Sequence, residues 1–195
     1  MKTCTLAKYS LAFLWLFWVS PAIAGPPSDG WHSGKVELQS GEWLTGELHF
    51  KPGLGLLEFS MDGVLSTLSA KKVASFYYFE PESNRVRNFI VEQSEENGVL
   101  IPSFFEILVD GRIRLLGKEQ PQRLSWHHNA KEAPLMTYFF QEPDGTIQKY
   151  RGRLKQIYEV LSDRRKEVAF FVNRIKWYHQ EEKPVVELFR YCNAL

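Results

Sequence analysis

Disulfide bonds are the first thing this chain lacks: among 195 residues there are two cysteines, Cys4 and Cys192. Cys4 lies in the leader described below, so Cys192 has no partner within the mature chain and a structural cross-link would have to join two molecules. Charge of one sign is lacking too. With 24 basic and 23 acidic side chains the formal net charge is +1, whereas steering toward nucleic acid needs a large one-signed field. No nucleic-acid partner is expected. No apolar run reaches the ~20 residues of a spanning helix. Neither a Gly-x-Ser-x-Gly elbow nor a His-Glu-x-x-His pair occurs, which removes two common hydrolase signatures. Gly53-Leu54-Gly55 lacks the third glycine and the helix of a phosphate-binding loop. No cofactor and no metal is expected.

What is present begins with a leader. Lys2 and Lys8 make a basic start, Leu11 to Val19 an apolar core, and Pro21-Ala22-Ile23-Ala24 a small-residue end. This pattern predicts a secretory signal, residues 1–24, cleaved after Ala24. Gly25 stands where a lipoprotein would carry its cysteine, and no Asn-x-Ser/Thr acceptor follows. The expectation is an exported protein in the periplasm or cell envelope of a Gram-negative bacterium. Residues 25–30, Gly-Pro-Pro-Ser-Asp-Gly, read as a flexible leader.

Period-two patterning then runs through residues 31–150. Lys35 to Gln39 and Glu42 to Phe50 alternate about Ser40-Gly41, with Gly46 expected at a bend or bulge. Asp62-Gly63 and Asp144-Gly145 mark hairpins. The central one is expected at Asp110-Gly111, a tight two-residue turn between Phe104–Val109 and Arg112–Leu116. Ser69 to Lys72 is expected to make one helical turn, the acidic tract Glu92 to Gly98 an exposed loop, and Gln120 to Pro134 a mobile segment. From Arg153 the period becomes 3.6. Leu154, Ile157, Tyr158 and Leu161 form one stripe; Val168, Phe171, Val172 and Ile175 form a second, with Ser162-Asp163 as its expected cap. Pro184 opens a third stripe of Val185, Leu188, Phe189 and Cys192. The expected fold is α+β: a mainly antiparallel β meander or partly open barrel, followed by about three C-terminal helices in residues 151–195 that pack on the β domain.

The opening, Gly34-Lys35-Val36-Glu37-Leu38 through Gly41 to Leu44-Thr45-Gly46-Glu47-Leu48, resembles the first hairpin of small Sm-like barrels. Over most of its mature length the chain is similar to a group of uncharacterised exported proteins of Gram-negative envelopes. That similarity rests on the same opening, the Ser69 to Phe76 step, Phe104 to Gly111 running into Leu115-Leu116, and the end at Tyr191-Cys192-Asn193. It implies export and layout, and brings no activity or site residue with it.

Candidate chemistry is sparse. Trp126-His127-His128 is the only cluster of metal-like residues, and adjacent histidines on a strand point to opposite faces. Glu106 sits among apolar neighbours and is a candidate acid or base, or else the partner of Arg112 or Arg114 across the turn. Cys192 falls on an apolar stripe and is expected to be inert. Arg151, Arg153, Lys155 and Arg164-Arg165-Lys166 make the helical region locally basic, suited to a solvated face or to anionic headgroups. Aromatics at 76–79 and 138–140 supply both faces of a sheet.

The leading expectation is a non-catalytic exported envelope protein that binds a protein partner or a membrane surface, with Trp126, His127, His128, Tyr77 and Tyr138 as candidate contact residues. One alternative is a carrier holding an apolar small ligand in a β cavity. Another is a hydrolase using Glu106, Asp110 or His127/His128.

Overall fold

Alternating apolar and polar side chains make ten strands in the computed structural model, which describes residues 30–96, 98–120, 136–179 and 184–194. The expected signal, most of the expected leader and Trp126-His127-His128 lie outside the described residues. The strands are β1 (His32–Leu38), β2 (Trp43–Lys51), β3 (Leu56–Met61), β4 (Val64–Ser69), β5 (Val73–Glu80), β6 (Arg85–Glu96), β7 (Val99–Val109), β8 (Arg114–Glu119), β9 (Met136–Gln141) and β10 (Ile147–Lys149). All pair antiparallel in one open sheet of order β10-β9-β8-β7-β6-β5-β1-β2-β3-β4. The fold is thus mostly antiparallel β with three helices near the C-terminus.

The one departure from a plain meander is that β5 returns to pair with β1 rather than β4. Only Ala70 to Lys72 separate β4 from β5, and the Lys72 N–H donates to the Ser69 carbonyl at 2.9 Å. A hydrogen-bonded turn therefore replaces the expected helical turn, and the end of β4 is held beside the start of β5. The first five strands bend round a shared interior. Gly34 and Gly46 oppose each other across β1 and β2 in unbroken register. A Cβ on Gly34 would strike the Tyr77 carbonyl, and one on Gly46 the Ser60 carbonyl. Gly46 thus serves close approach rather than a bulge; the bulge lies at Glu37/Leu38 against β5. Val36, Leu48, Leu57, Phe59 and Phe76 fill the interior. Phe76 stacks on Phe89 at 4.4 Å, and Phe50 meets Phe104 edge-on at 5.5 Å.

Two loops differ from expectation. The acidic tract is strand, since β6 runs to Glu96 and pairs Ser94 with Ile101 and Glu95 with Leu100. Period two persists there in polar residues, with Ser94 buried between exposed Gln93 and Glu95. The central turn is also longer than two residues, because β8 starts at Arg114 and a bulge shifts the register between Ile107 and Val109. At Asp62-Gly63 both residues take the positive φ values of a tight turn, 51° and 79°. Gly111 has no positive φ. It is instead the place where Asn193 packs, since a Cβ would overlap that side chain and Asn193 Nδ2 donates to the Asp110 carbonyl at 2.9 Å.

Helices α1 (Leu154–Val160), α2 (Arg165–Arg174) and α3 (Val185–Asn193) follow. Ser162 to Arg164 form a 3₁₀ turn rather than a cap, and α2 begins without a side-chain cap hydrogen bond. All four residues of the α3 stripe are buried. They share a second core with Ile157, Val168, Val172 and Trp177, and with Val109, Leu115 and Phe140 of the sheet. Each large side chain so buried contributes roughly 1.5 to 3 kcal/mol. Among the described residues no helix is long and apolar enough to cross a membrane.

Candidate functional site

Glu106 is buried, and its partners are not those across the turn. Arg87 Nη2 lies 2.6 Å from Glu106 Oε2 and 2.6 Å from Glu119 Oε1, while Arg87 Nη1 reaches Glu80 at 3.2 Å. Arg85 adds a contact to Glu106 at 3.3 Å. The reason is register: β6 neighbours β7 directly and places Phe89 opposite Glu106, so Arg87 on the same face reaches it. Arg112 goes to Asp163 at 2.5 Å and Arg114 to Asp110 at 2.7 Å. The Arg87 guanidinium also lies 5.1 Å from the Phe89 ring centroid and 5.8 Å from that of Tyr78.

Burial pushes the Tyr78 hydroxyl up to about 12, against the opposing pull of Arg87. Burial works to raise the Glu80 carboxyl, yet the Ser83 hydroxyl and Arg87 outweigh it and hold the group below its usual range. Among the described residues two buried nitrogens beside Tyr78 lack a hydrogen-bond partner, Arg87 Nε and His32 Nδ1. The His32 ring stacks on Tyr78 at 4.8 Å. Chemically this is an ion-pair network in which Arg87 and Arg85 take up the charges of Glu80, Glu106 and Glu119.

A second feature arises where β8 leaves β7. The two strands pair from Glu106 to Val109, while Val99 to Phe105 pair only with β6. Pro102 belongs to this one-sided stretch, where a missing N–H is tolerated. The gap forms a cleft of about 290 Å³ lined by Phe50, Pro102, Ser103, Glu106, Lys118 and Glu119. Past Lys118 a larger cavity of about 650 Å³ opens between β6 and β10, bounded by Ser94, Leu100, Lys118, Phe139, Ile147 and Arg151 among others.

Strong curvature makes this cavity. Gln141 Nε2 of β9 donates to Glu92 Oε1 of β6 at 2.7 Å, although two strands intervene and a flat sheet would hold them roughly 14 Å apart. On this inner face Lys118 Nζ donates to Ser103 Oγ at 3.0 Å and Ser94 Oγ at 3.3 Å. It also lies 5.7 Å from the Phe105 ring centroid.

Of the candidate contact residues, the two described ones, Tyr77 and Tyr138, lie apart. Tyr77 is on the outer face of β5 with its ring 6.4 Å from Trp43. Tyr138, on β9, packs against the helix-side core. Cys192 is buried, and burial raises its thiol to about 11, as befits an inert packing residue. No group of three His, Cys, Asp or Glu suited to a metal ion occurs among the described residues. Sequence reasoning passed over Lys118, Ser94 and Ser103. Their only signal was a small polar residue at alternate positions of a tract that charge made look like a loop. Compared with known proteins, the chain matches no family model, no curated protein and no solved structure.

Proposed function

We propose that this is a non-catalytic exported envelope protein that binds a protein partner on the outer face of β2, β1, β5 and β6. One observation carries the reading. Trp43, Phe79 and Val86 are 50%, 44% and 53% exposed, with Phe79 directly opposite Val86 and Tyr77 beside Trp43. An outward row of rings is the composition of a contact hot spot, where Trp and Tyr supply large area at small entropic cost. The charges on that face by register are Lys35 and Lys51 against Glu37 and Glu47, with Glu58 pairing Lys51 at 2.6 Å. They leave no positive field for anionic headgroups, which favours a protein over a lipid surface. A photoreactive residue at position 79 is expected to crosslink a discrete protein in intact cells, and the same residue at the exposed position 142 is not. Trp43→Ala should abolish the crosslink. Equal crosslinking at both positions, or capture of the chain by anionic vesicles through Phe79, would overturn the proposal.

A second reading, a carrier of an apolar small ligand, draws support from the cavity between β6 and β10. Rings fill the interior of the first five strands, so the space lies in the other half of the sheet. Its volume falls within the range of ligand sites. Nile red should brighten on mixing with the mature protein. An unchanged spectrum at micromolar protein removes the carrier.

A further inference from the structure

A second surface, apart from the outer row of rings, lies on α2. Val168 and Val172 turn that helix toward the core, so Phe170, two residues from each, stands on the opposite side and is 55% exposed. It adds nothing to the buried core. Its surroundings are cationic: Lys166 and Arg174 lie one turn to either side of it on the same face, and Arg165 and Lys176 are exposed beside them. We propose that this face of α2 rests on a membrane surface rich in anionic phospholipid, with Phe170 entering the headgroup layer between Lys166 and Arg174.

Compensation for these charges is lacking. Among the described residues none of the four cations forms an ion pair, whereas neighbouring charges do: Lys155 meets Glu159 at 3.5 Å, and Asp163 is taken by Arg112. Glu167 is the one acid within α2, and on α3, which packs beside it, the exposed Glu187 and Arg190 offset each other. The face is therefore cationic in a molecule with a formal net charge of only +1. Charge alone would suit any acidic partner, and the rings decide for lipid. Phe170 stacks on Tyr191 of α3 at 6.1 Å, and Tyr191 also meets Phe171 at 5.5 Å. An apolar ring in front of an amphipathic one, rimmed by Lys and Arg whose long stems carry their charges to the same plane, is the arrangement of a shallow interfacial helix. The pole of a single helix is also convex. A yielding headgroup layer accepts that shape, while an acidic protein would need a pocket for Phe170 ringed by carboxylates.

The test uses the mature chain beginning at Gly25, since the apolar residues 11–19 would themselves enter a bilayer. Vesicles of phosphatidylglycerol and phosphatidylcholine should carry it down on sedimentation, pure phosphatidylcholine should not, and affinity should fall as salt is added. Lys166→Glu with Arg174→Glu should weaken binding by roughly tenfold or more. Lys71→Glu with Lys72→Glu, the same change in net charge at exposed positions between β4 and β5, should weaken it far less. A polarity-sensitive fluorophore on Phe170→Cys, selective because Cys192 is buried, should shift to the blue on the anionic vesicles, and Phe170→Ser should bind several-fold more weakly. Equal loss from the two charge pairs, a fluorophore at 170 that stays in water while the chain is bound, or binding to neither kind of vesicle would overturn the proposal. Capture by polyglutamate without capture by the anionic vesicles would assign the face to an acidic protein and overturn it as well.

Discussion

Arg87 is the residue on which most buried charge depends. It touches Glu80, Glu106 and Glu119, and its own side chain is largely buried. Removing one partner of a buried pair strands the other, which costs about 3 to 5 kcal/mol. Arg87→Met should therefore lower the urea midpoint sharply at neutral pH, and adding Glu106→Leu should recover part of the loss. No recovery would mean that the deficit comes from lost packing on Tyr78 and Phe89. Tyr78 gives a separate pH signature. Burial holds its hydroxyl at about 12 in the folded state, above the ordinary 10.0, so its contribution is complete below pH 10 and fades as pH rises toward 12. Urea midpoints measured from pH 9 to 12 should fall, and Tyr78→Phe should flatten that fall.

None of this was legible in the chain. Glu106 stood out by its apolar neighbours, but which arginine it meets depends on the order of strands, and Arg85 and Arg87 lie some twenty residues away in sequence. The three Asp-Gly pairs expected to mark hairpins make the same point. Asp62-Gly63 and Asp144-Gly145 are turns as their chemistry implies. Gly111 holds its place for Asn193, a neighbour 82 positions later that no local pattern reveals.

At the level of elements, helix periodicity was the most readable signal, because the α3 stripe had to bury somewhere. Leu188 is fully buried in the second core, and Leu188→Ala should cost about 2 to 5 kcal/mol, seen as an earlier denaturant midpoint. The strand β6 was misread in its acidic half, since a charged run usually marks solvent and here its alternate residue, Ser94, is buried beside Lys118 on the inner side of the curled sheet. The parting of β7 from β8 has its own test. Hydrogen exchange should be fast at those amides of Val99 to Phe105 that point away from β6 and slow at Glu106 and Ile107; uniform protection along β7 would mean that β8 pairs with its whole length.

The whole molecule contains two cores, one within the curl of the first five strands and one under the helices. Phe104 belongs to the first and Val109 to the second, so β7 is common to both. Unfolding is expected in one transition. Reaction of the Cys192 thiol with a disulfide reagent, blocked by burial in the native state, should become fast at the same denaturant concentration at which the ring cluster loses its near-ultraviolet signal. Separate midpoints would show that the two halves come apart independently. Fold class was readable at this scale, because alternation and helical stripes are each strong over their own stretch. The cavity was not, because it exists only through the wrapping of β6 toward β9 and β10.

The place of β1 between β2 and β5 has a consequence in time. A ribosome delivers residues in order, so His32 to Leu38 emerge before Val73 to Glu80 and must wait for them before their second row of amides is satisfied. Throughout that delay the nascent chain presents a sticky ribbon, and a holding chaperone or slow delivery would decide how much of it reaches the native state.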